Sequence, residues 1–314
     1  MKSVVITKND ADQRLDKFLL KYLRSLPTSL MYKYLRLKRI KVNGRRSDAS
    51  HRLVEGDTVE MYINDEFFDG RTAPADISAR SAELNIVYED ENLLLVDKEP
   101  GLLVHPDDAG SSDTLIARIQ AYLFQKGEYD PASELSFAPA LCNRIDRNTG
   151  GIVIAAKNAE ALRMINDKIR RDKLTKFYLC IVDGILEKKQ DTLCGYLIKN
   201  RSLNRVFVKK DPEPGARRII TKYRVLKEKE GFSLVEVELV TGRTHQIRAH
   251  FASIGHPLLG DGKYGKNSVN RPMGVYRQAL YAYKLRFDRD AHGPLSYLDG
   301  LEFTVEHVGF AESF

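Results

Sequence analysis

The sequence contains little cysteine and no long apolar run. Its three cysteines, Cys142, Cys180 and Cys194, are an odd number without C-x-x-C spacing. This argues against a disulfide framework and against a structural zinc site, and it fits a reducing compartment. No apolar stretch approaches the roughly 20 residues that span a bilayer, and the N-terminal residues do not form a signal peptide. We therefore expect a cytoplasmic protein without a membrane segment.

The overall composition is ordinary for a globular protein, and no internal repeat or low-complexity tract is present. The chain has 314 residues, of which 43% are hydrophobic and 30% charged. Such a chain can form two domains and bury a sizeable core.

Positive charge is concentrated near the N-terminus. The net charge is +7, and residues 1–63 hold 14 Lys/Arg against 7 Asp/Glu, so the rest of the chain is balanced. A localised basic patch is typical of a polyanion binder, although a solvated surface can have the same composition. The lack of acidic residues between Ser29 and Ser47 favours nucleic acid. The basic residues of this stretch are Lys33, Arg36, Lys38, Arg39, Lys41, Arg45 and Arg46.

The same N-terminal stretch has the pattern of a small helical and hairpin domain. Apolar residues between Leu15 and Leu26 recur at the spacing of one helix face. A second helix, capped by Thr28 or Ser29, is predicted to continue to about Leu37. The dipeptide Asn43-Gly44 then predicts a hairpin, because both residues tolerate a positive φ.

This domain resembles the S4 RNA-binding domain over about residues 12–63. The resemblance lies in R-L-D-K-F-L at Arg14–Leu19, R-I-K-V-N-G-R at Arg39–Arg45 and V-E-G-D at Val54–Asp57. It implies that structured RNA is bound through its backbone and shape.

We predict three parts along the chain. Residues 1–63 form the S4-like domain, and residues 64–82, which lack periodicity, form a linker. The aromatic pair Phe67-Phe68 in this linker is expected to dock on a neighbouring element. Residues 83–314 form the second domain.

Strand and helix patterns alternate irregularly in the second domain. The run K-F-Y-L-C-I-V predicts a strand buried on both faces, and the stretch ending in L-V-E-V-E-L-V predicts a hairpin. The stretch T-G-R-T-H-Q-I-R-A-H turns into a helix whose inward residues are predicted to be Ile247, Phe251 and Ile254. This order predicts an α+β fold with a largely antiparallel mixed sheet.

One carboxylate stands out by its surroundings. Asp146 lies in N-R-I-D-R-N-T-G-G, between Arg144 and Arg147, with apolar strand patterns on both sides. A carboxylate paired with arginine stays ionised, and an ionised carboxylate can act as a nucleophile or base at a glycosidic carbon. The alternative is a structural Asp–Arg pair in a turn.

Four other residues are candidates for contact with a nucleotide. Tyr178 lies in mid-strand, where it could stack on a base, a contact worth ~1–3 kcal/mol; alternatively it is a core tyrosine. Arg243 and Arg248 lie at a strand-to-helix turn, and helix N-termini bind anions; the alternative is surface arginine. His105 precedes a proline in an extended loop, and its alternative is a structural histidine.

Two further patterns resemble ligand-binding motifs but lack the sequence context that such motifs require. G-D-G-K-Y-G at Gly260–Gly265 matches G-x-G-x-x-G, but no strand leads into it and no clear helix follows. His245, His250 and His256 are spaced by five and six residues, which is not the spacing of a helical zinc pair. Neither a dinucleotide site nor a metal site is therefore predicted.

Together these motifs resemble the RluA family of RNA pseudouridine synthases over about residues 84–310. The family's H-R-L-D-x-x-T-S-G corresponds to N-R-I-D-R-N-T-G-G here, and G-R-T-H-Q-I-R-x-H is unbroken. The other matching motifs are V-D-K-E-P-G-L-L-V-H-P at Val96–Pro106, K-F-Y at Lys176–Tyr178 and Q-A-L-Y-A-Y-K-L-R-F at Gln278–Phe287.

The resemblance implies roles for individual residues. Asp146 would be the catalytic aspartate, Tyr178 the active-site tyrosine and Arg248 the basic partner of Asp146. Arg144 would help to hold the target nucleotide out of its stack. The other residues assigned to substrate binding are Arg243, His245, Thr149 and Lys176.

The implied reaction is isomerisation of uridine in structured RNA. Nothing is oxidised or hydrolysed, so no cofactor and no metal is implied. The expected partner is ribosomal RNA of the large subunit rather than transfer RNA. A monomer is expected. A non-catalytic RNA-binding or assembly factor is the rival interpretation. A carbohydrate glycosidase is disfavoured, because such enzymes use two carboxylates.

The sequence departs from the family motifs at four positions. Asn143, Ile145, Gly150 and Tyr281 stand where the family has histidine, leucine, serine and histidine. None of these changes affects Asp146, Tyr178 or the arginines. We therefore expect an active enzyme from a divergent subgroup of the family, and the departures leave open which RNA it modifies.

Overall fold

The computed structural model describes residues 1–68, 77–108, 110–200, 202–271, 274–290 and 293–314. The chain divides into two compact units. The first comprises Met1–Glu83, Ile116–Ala140 and Ala156–Arg163; the second comprises Leu84–Leu115, Leu141–Ala155 and Met164–Phe314. Within the described residues, none of the helices combines the length and hydropathy needed to cross a membrane. The predicted domain boundaries at residues 63 and 82 stay a prediction.

The N-terminal part of the first unit, residues 1–68, contains a small antiparallel sheet and two α-helices. Its strands follow the order β1-β4-β2-β3, and Asn43 and Gly44 form the predicted β2–β3 turn with φ of 50° and 71°. The elements are β1 (Lys2–Val5), α1 (Leu15–Tyr22), α2 (Thr28–Arg36), β2 (Ile40–Val42), β3 (Arg45–Arg46) and β4 (Thr58–Met61).

The helical periodicity of the first unit predicts its core correctly. The apolar residues at helix spacing between Leu15 and Leu26 are all buried, with Leu15 and Phe18 fully inaccessible, although α1 itself ends at Tyr22. The predicted capping of α2 is wrong. Thr28 is already helical and Pro27 occupies the cap position without a side-chain hydrogen bond, because its fixed φ suits the residue before a helix.

The start of the predicted linker packs on the first unit. Phe68 is buried and meets the ring of Tyr22 edge-on, and Phe67 meets Tyr34 in the same way. The docking expected for this aromatic pair is therefore present. The part of the linker at residues 69–76 lies outside the described residues.

Among the described residues, the second sheet has eleven strands and is antiparallel at most of its pairings. Its strand order is β11-β10-β12-β13-β9-β14-β8-β6-β5, with β15 paired to β14 and β7 to β8, and β14 runs parallel to β8. The strands are β5 (Asn85–Glu89), β6 (Leu93–Lys98), β7 (Ala140–Leu141), β8 (Gly150–Ala156), β9 (Leu174–Asp183), β10 (Gln190–Asn200), β11 (Arg205–Lys209), β12 (Arg217–Lys229), β13 (Phe232–Leu239), β14 (Leu280–Phe287) and β15 (Glu302–Thr304). The helices are α3 (Leu115–Gln125), α4 (Ala159–Arg170), α5 (Gln246–Ser253), α6 (Asn267–Asn270) and α7 (Gly309–Glu312).

The sequence patterns of this sheet predict its strands well. Strand β9 is mostly buried along its length, as its continuous apolar run predicts. The β12–β13 hairpin closes at Glu230 and Gly231, which both have a positive φ. Helix α5 is also found where predicted, but the inward assignment of Ile254 is wrong, because the helix ends at Ser253 and Ile254 is 39% exposed. The predicted α+β fold with a largely antiparallel mixed sheet is confirmed.

Candidate active site

Asp146 lies in the loop between β7 and β8, and a tight turn fixes its backbone. Its carbonyl accepts the N–H of Thr149 at 3.0 Å. The Thr149 side chain is buried, and its hydroxyl accepts a hydrogen bond from Gln278 at 3.3 Å. The Asp146 carboxylate is 25% exposed. The turn therefore presents this carboxylate at the surface end of a buried strand.

A buried lysine anchors the same turn from the other side. Nζ of Lys98, at the end of β6, donates to the carbonyls of Glu99, Leu102 and Arg147 at 2.7, 2.9 and 2.9 Å. Gly101 and Arg147 exchange two more hydrogen bonds. Burial lowers the pKa of Lys98 to about 8, although the Asp146 charge opposes this shift. The sequence analysis does not assign a role to Lys98, although a lysine that follows the apolar run of Leu93–Val96 could have indicated such an anchor.

Two donors from a distant part of the chain converge on Asp146. Nη1 of Arg248, on α5, donates to Oδ2 of Asp146 at 2.7 Å, and Nε2 of His245 lies 3.8 Å from the same oxygen. Among the described residues, neither Arg144 nor Arg147 forms an ion pair with Asp146. The partners of the carboxylate are therefore not its neighbours in sequence.

Arg248 also binds a second, fully buried carboxylate. Its Nε and Nη2 donate to the two oxygens of Asp261 at 2.7 and 2.9 Å. Burial alone would raise the pKa of Asp261, but the hydrogen bonds and charge of Arg248 outweigh burial and hold this pKa below its usual value. The guanidinium thus bridges Asp146 and Asp261, and both carboxylates keep it charged.

Tyr178 lies in the middle of β9, close enough for the Asp146 charge to act on it. Burial, and to a lesser extent that charge, raise the pKa of Tyr178, so its hydroxyl stays protonated near neutral pH. Among the described residues the hydroxyl has no hydrogen-bond partner. A neutral aromatic ring beside an ionised carboxylate suits contact with a flat, uncharged base.

The remaining predicted site residues are distributed around this centre. Arg144 and Arg243 are exposed, and burial together with the charge of Arg144 lowers the pKa of His105. Lys176 shares a face of β9 with Tyr178, and burial lowers the pKa of its ammonium group. Thr149 is buried within the turn that carries Asp146, and its expected substrate contact stays a prediction.

Two of the departures from the family motif fit each other. The ring of Tyr281 lies against Gly150, where an added Cβ would come within 2.3 Å of Cε2, and its hydroxyl donates to Asp97 at 2.7 Å. The side-chain oxygen of Asn143 accepts the N–H of Ile154 at 2.8 Å. The substitutions are therefore accommodated in the scaffold beneath Asp146.

The described residues contain no group of three or more histidine, cysteine, aspartate or glutamate side chains able to hold a metal. Two of the three histidines considered in the sequence have separate partners. Nδ1 of His250 lies 2.9 Å from the hydroxyl of Thr221, and Nδ1 of His256 lies 2.9 Å from the carbonyl of Asp183. His245 alone faces Asp146.

Comparisons with known proteins point in one direction. The family model described as RNA pseudouridylate synthase matches residues 92–253, and the model described as S4 domain matches residues 13–59. A protein of Aquifex aeolicus (strain VF5), named as an uncharacterized RNA pseudouridine synthase, is 32% identical over 291 residues, which cover 90% of this chain and 88% of that protein.

A second relative and a solved structure extend this similarity. The ribosomal large subunit pseudouridine synthase C of Escherichia coli (strain K12) is 30% identical over 315 residues, covering 95% of this chain and 92% of the relative. The structure titled Human RNA Pseudouridylate Synthase Domain Containing 4 has a TM-score of 0.57 at 20% identity, covering 72% of this chain and 89% of that one. The latter likeness concerns the fold alone.

Proposed function

The chain belongs to the RNA pseudouridylate synthase family, and we propose that Asp146 is its catalytic carboxylate and that large-subunit ribosomal RNA is its substrate. As an RNA pseudouridine synthase, the protein is an isomerase. The N1–C1′ bond of uridine breaks and a C5–C1′ bond forms, while C5 loses a proton and N1 gains one. The reaction therefore needs no net oxidant, reductant or water.

The observation that carries the assignment of Asp146 is its pairing with Arg248 beside Tyr178. The guanidinium of Arg248 donates to the carboxylate at 2.7 Å, and the negative charge of the carboxylate can act at the electron-poor sugar carbon as the glycosidic bond breaks. Because the carboxylate is only partly exposed, the bound nucleotide would displace water and strengthen this interaction.

Reaching Asp146 requires the uridine to leave its stack in the RNA. We assign the ring of Tyr178 to contact with the extruded base. The exposed Arg144 and Arg243 and the half-buried Lys176 would bind the surrounding phosphates. Thr149 would serve indirectly, by fixing the turn that carries Asp146.

The basic surface of the S4 domain would hold the RNA during catalysis. Of its seven basic residues all but Lys41 are exposed, and no ion pair neutralises any of them within the part of the chain that the structure describes. Such a surface favours phosphate contacts, which depend steeply on salt. The names of several relatives as ribosomal large subunit enzymes support ribosomal RNA over transfer RNA, and with it a cytoplasmic location. The monomeric state stays a prediction.

Tritium release from RNA labelled with [5-³H]uridine tests the proposal, because C5 loses its hydrogen in the reaction. Unmodified large-subunit ribosomal RNA, small-subunit ribosomal RNA and transfer RNA serve as separate substrates. We expect release from the large-subunit RNA with the wild type and none with Asp146→Asn. Release from transfer RNA alone would refute the substrate assignment, and release by Asp146→Asn at the wild-type rate would refute the catalytic one.

A further inference from the structure

The turn from Gly260 to Gly265, here called the GDGKYG turn, is rigidly built. A Cβ on Gly260 would come within 2.1 Å of the Arg277 carbonyl, and one on Gly265 within 2.5 Å of the Asp261 carbonyl. The N–H of Gly265 donates to Asp261 at 2.8 Å, and that of Gly260 donates to Asn270 at 2.9 Å. Its glycines are therefore required by close backbone contacts, and the side chains between them have fixed directions.

The first of these side chains, Asp261, orients Arg248. Its Oδ1 also accepts the backbone N–H groups of Lys263 and Tyr264 at 2.8 and 3.0 Å, so the carboxylate is fixed to its own turn. With Nε and Nη2 of Arg248 engaged by Asp261, Nη1 is the nitrogen that reaches Asp146. A planar guanidinium held on one edge in this way has little rotational freedom.

The second side chain, Tyr264, orients His245. Its hydroxyl oxygen accepts the N–H of Val206 at 2.9 Å and lies 3.0 Å from Nδ1 of His245. Among the described residues the Tyr264 hydroxyl proton has no acceptor other than this Nδ1. If Nδ1 accepts that proton, the neutral imidazole carries its own hydrogen on Nε2, the atom 3.8 Å from Asp146.

The surroundings of His245 favour this neutral form. Burial lowers its pKa, and the charges of Arg248 and Lys263 act in the same direction. The carboxylates of Asp146 and Asp261 oppose that shift but do not outweigh it. The backbone of His245 has a φ of 54°, so the residue is held in a left-handed conformation that aims the ring from the start of α5.

We propose that Asp261 and Tyr264 are positioning residues that fix two side chains at the catalytic carboxylate, the guanidinium of Arg248 at 2.7 Å and the imidazole of His245 at 3.8 Å. Asp261 sets the direction of Arg248, and Tyr264 sets the tautomer of His245, so that an Nη1–H and an Nε2–H both face Asp146. This proposal rests on the proposed catalytic role of Asp146. The proposal gives a function to the GDGKYG turn, whose sequence matches the G-x-G-x-x-G pattern of dinucleotide-binding sites.

Tyr264→Phe is the most selective test, because it removes one hydroxyl and leaves the ring that lies under Arg248. Single-turnover tritium release should slow about fivefold to tenfold, the effect of losing one hydrogen bond, while the RNA concentration for half-maximal rate changes less than twofold. Tyr88→Phe is the matched control, since it removes a hydroxyl that donates to Asp90 at 2.9 Å away from the site. It should retain the wild-type rate.

Nitrogen-15 NMR of the imidazole provides a readout that loss of stability would not imitate. His245→Gln identifies the His245 signals. We expect the Nε2–H tautomer in the wild type near pH 7.5 and in Tyr88→Phe, and a mixture of tautomers in Tyr264→Phe. An Nδ1–H tautomer or a charged ring in the wild type would overturn the assignment of Tyr264.

Asp261→Asn tests the other donor. The substitution keeps the size of the side chain but places an amide N–H against the guanidinium, so the rate should fall at least as much as in Tyr264→Phe. If this variant does not fold, the test rests on Tyr264→Phe. Failure of the two proposals can be distinguished with Asp146→Asn. An active Asp146→Asn refutes the proposed function, whereas an inactive Asp146→Asn with a wild-type rate for Tyr264→Phe refutes the positioning role.

Discussion

Adding one carbon at Gly150 should destabilise the protein through the ring of Tyr281. A Cβ at Gly150 would lie 2.3 and 2.7 Å from Cε2 and Cδ2 of this ring, far inside van der Waals contact. The ring cannot swing away freely, because its hydroxyl is bound to Asp97. Overpacking of this kind costs about 1–3 kcal/mol, so the melting temperature of Gly150→Ala should fall by about 2–10 °C.

A double-mutant cycle isolates this contact from the other effects of changing either residue. Tyr281→Ala removes the ring, so Gly150→Ala should cost at least about 1 kcal/mol less in that background. Tyr281→Phe keeps the ring but removes its hydrogen bond to Asp97, so it should give less relief than Tyr281→Ala. Gly151→Ala is a matched control, since its Cβ would strike the backbone carbonyl of Ala282 at 2.2 Å and cannot be rescued at Tyr281. Equal costs for Gly150→Ala with and without the ring would refute the steric account.

Three further outcomes follow from the buried and charged groups. Lys98→Met leaves three carbonyls without their donor and should cost about 2–4 kcal/mol as well as slowing turnover; a wild-type melting temperature would contradict this. Burial lowers the pKa of His250 to about 4 from 6.5, so unfolded chains bind the proton first on acidification and stability should fall by about 3 kcal/mol between these pH values. In His250→Gln the melting temperature should depend less on pH over this range. A pH dependence equal to that of the wild type would contradict the lowered pKa of His250. Finally, the triple variant Lys38→Gln, Arg45→Gln and Arg46→Gln should lower the slope of log affinity against log salt for RNA by about 2–3, whereas Lys210→Gln, Lys227→Gln and Lys229→Gln should leave it unchanged; equal slopes for the two triples would refute the patch.

Much of the fold could be predicted because it follows from local periodicity. The apolar face of α1 and the β12–β13 hairpin each depend on residues close in sequence, and both are found. The errors lie at element ends. Thr28 and Ile254 were misassigned because a single residue of difference in a helix boundary moves a side chain from cap to helix or from core to surface.

The partners of the candidate site depend on contacts between distant segments, which periodicity does not encode. The sequence suggests that Asp146 is paired with its neighbours Arg144 and Arg147, whereas its described partners are Arg248 and His245. Only the family resemblance predicted that Arg248 is the partner of Asp146. The strand pairing of β8, β9 and β14 and the position of α5 determine the distances between these groups.

The sequence patterns do not identify residues that act by positioning other side chains. In the sequence, Asp261 belongs to a pattern that resembles a dinucleotide-binding motif, and Lys98 belongs to a motif shared with the family. Neither pattern assigns the residue a structural role. Both residues are fully or almost fully buried and bind their partners through several hydrogen bonds. A charged residue in an otherwise apolar stretch is a signal for such a role, because burying a charge is unfavourable unless it is paired.

The central claim is that the carboxylate of Asp146 performs the chemistry while other groups hold the RNA. The most direct measurement is single-turnover tritium release from saturating large-subunit ribosomal RNA, with RNA affinity measured in parallel for each variant. The account predicts no detectable release by Asp146→Asn at nearly wild-type affinity. Asp191→Asn, which removes an exposed carboxylate paired with Lys188, should give full release. Release by Asp146→Asn at the wild-type rate would contradict the account.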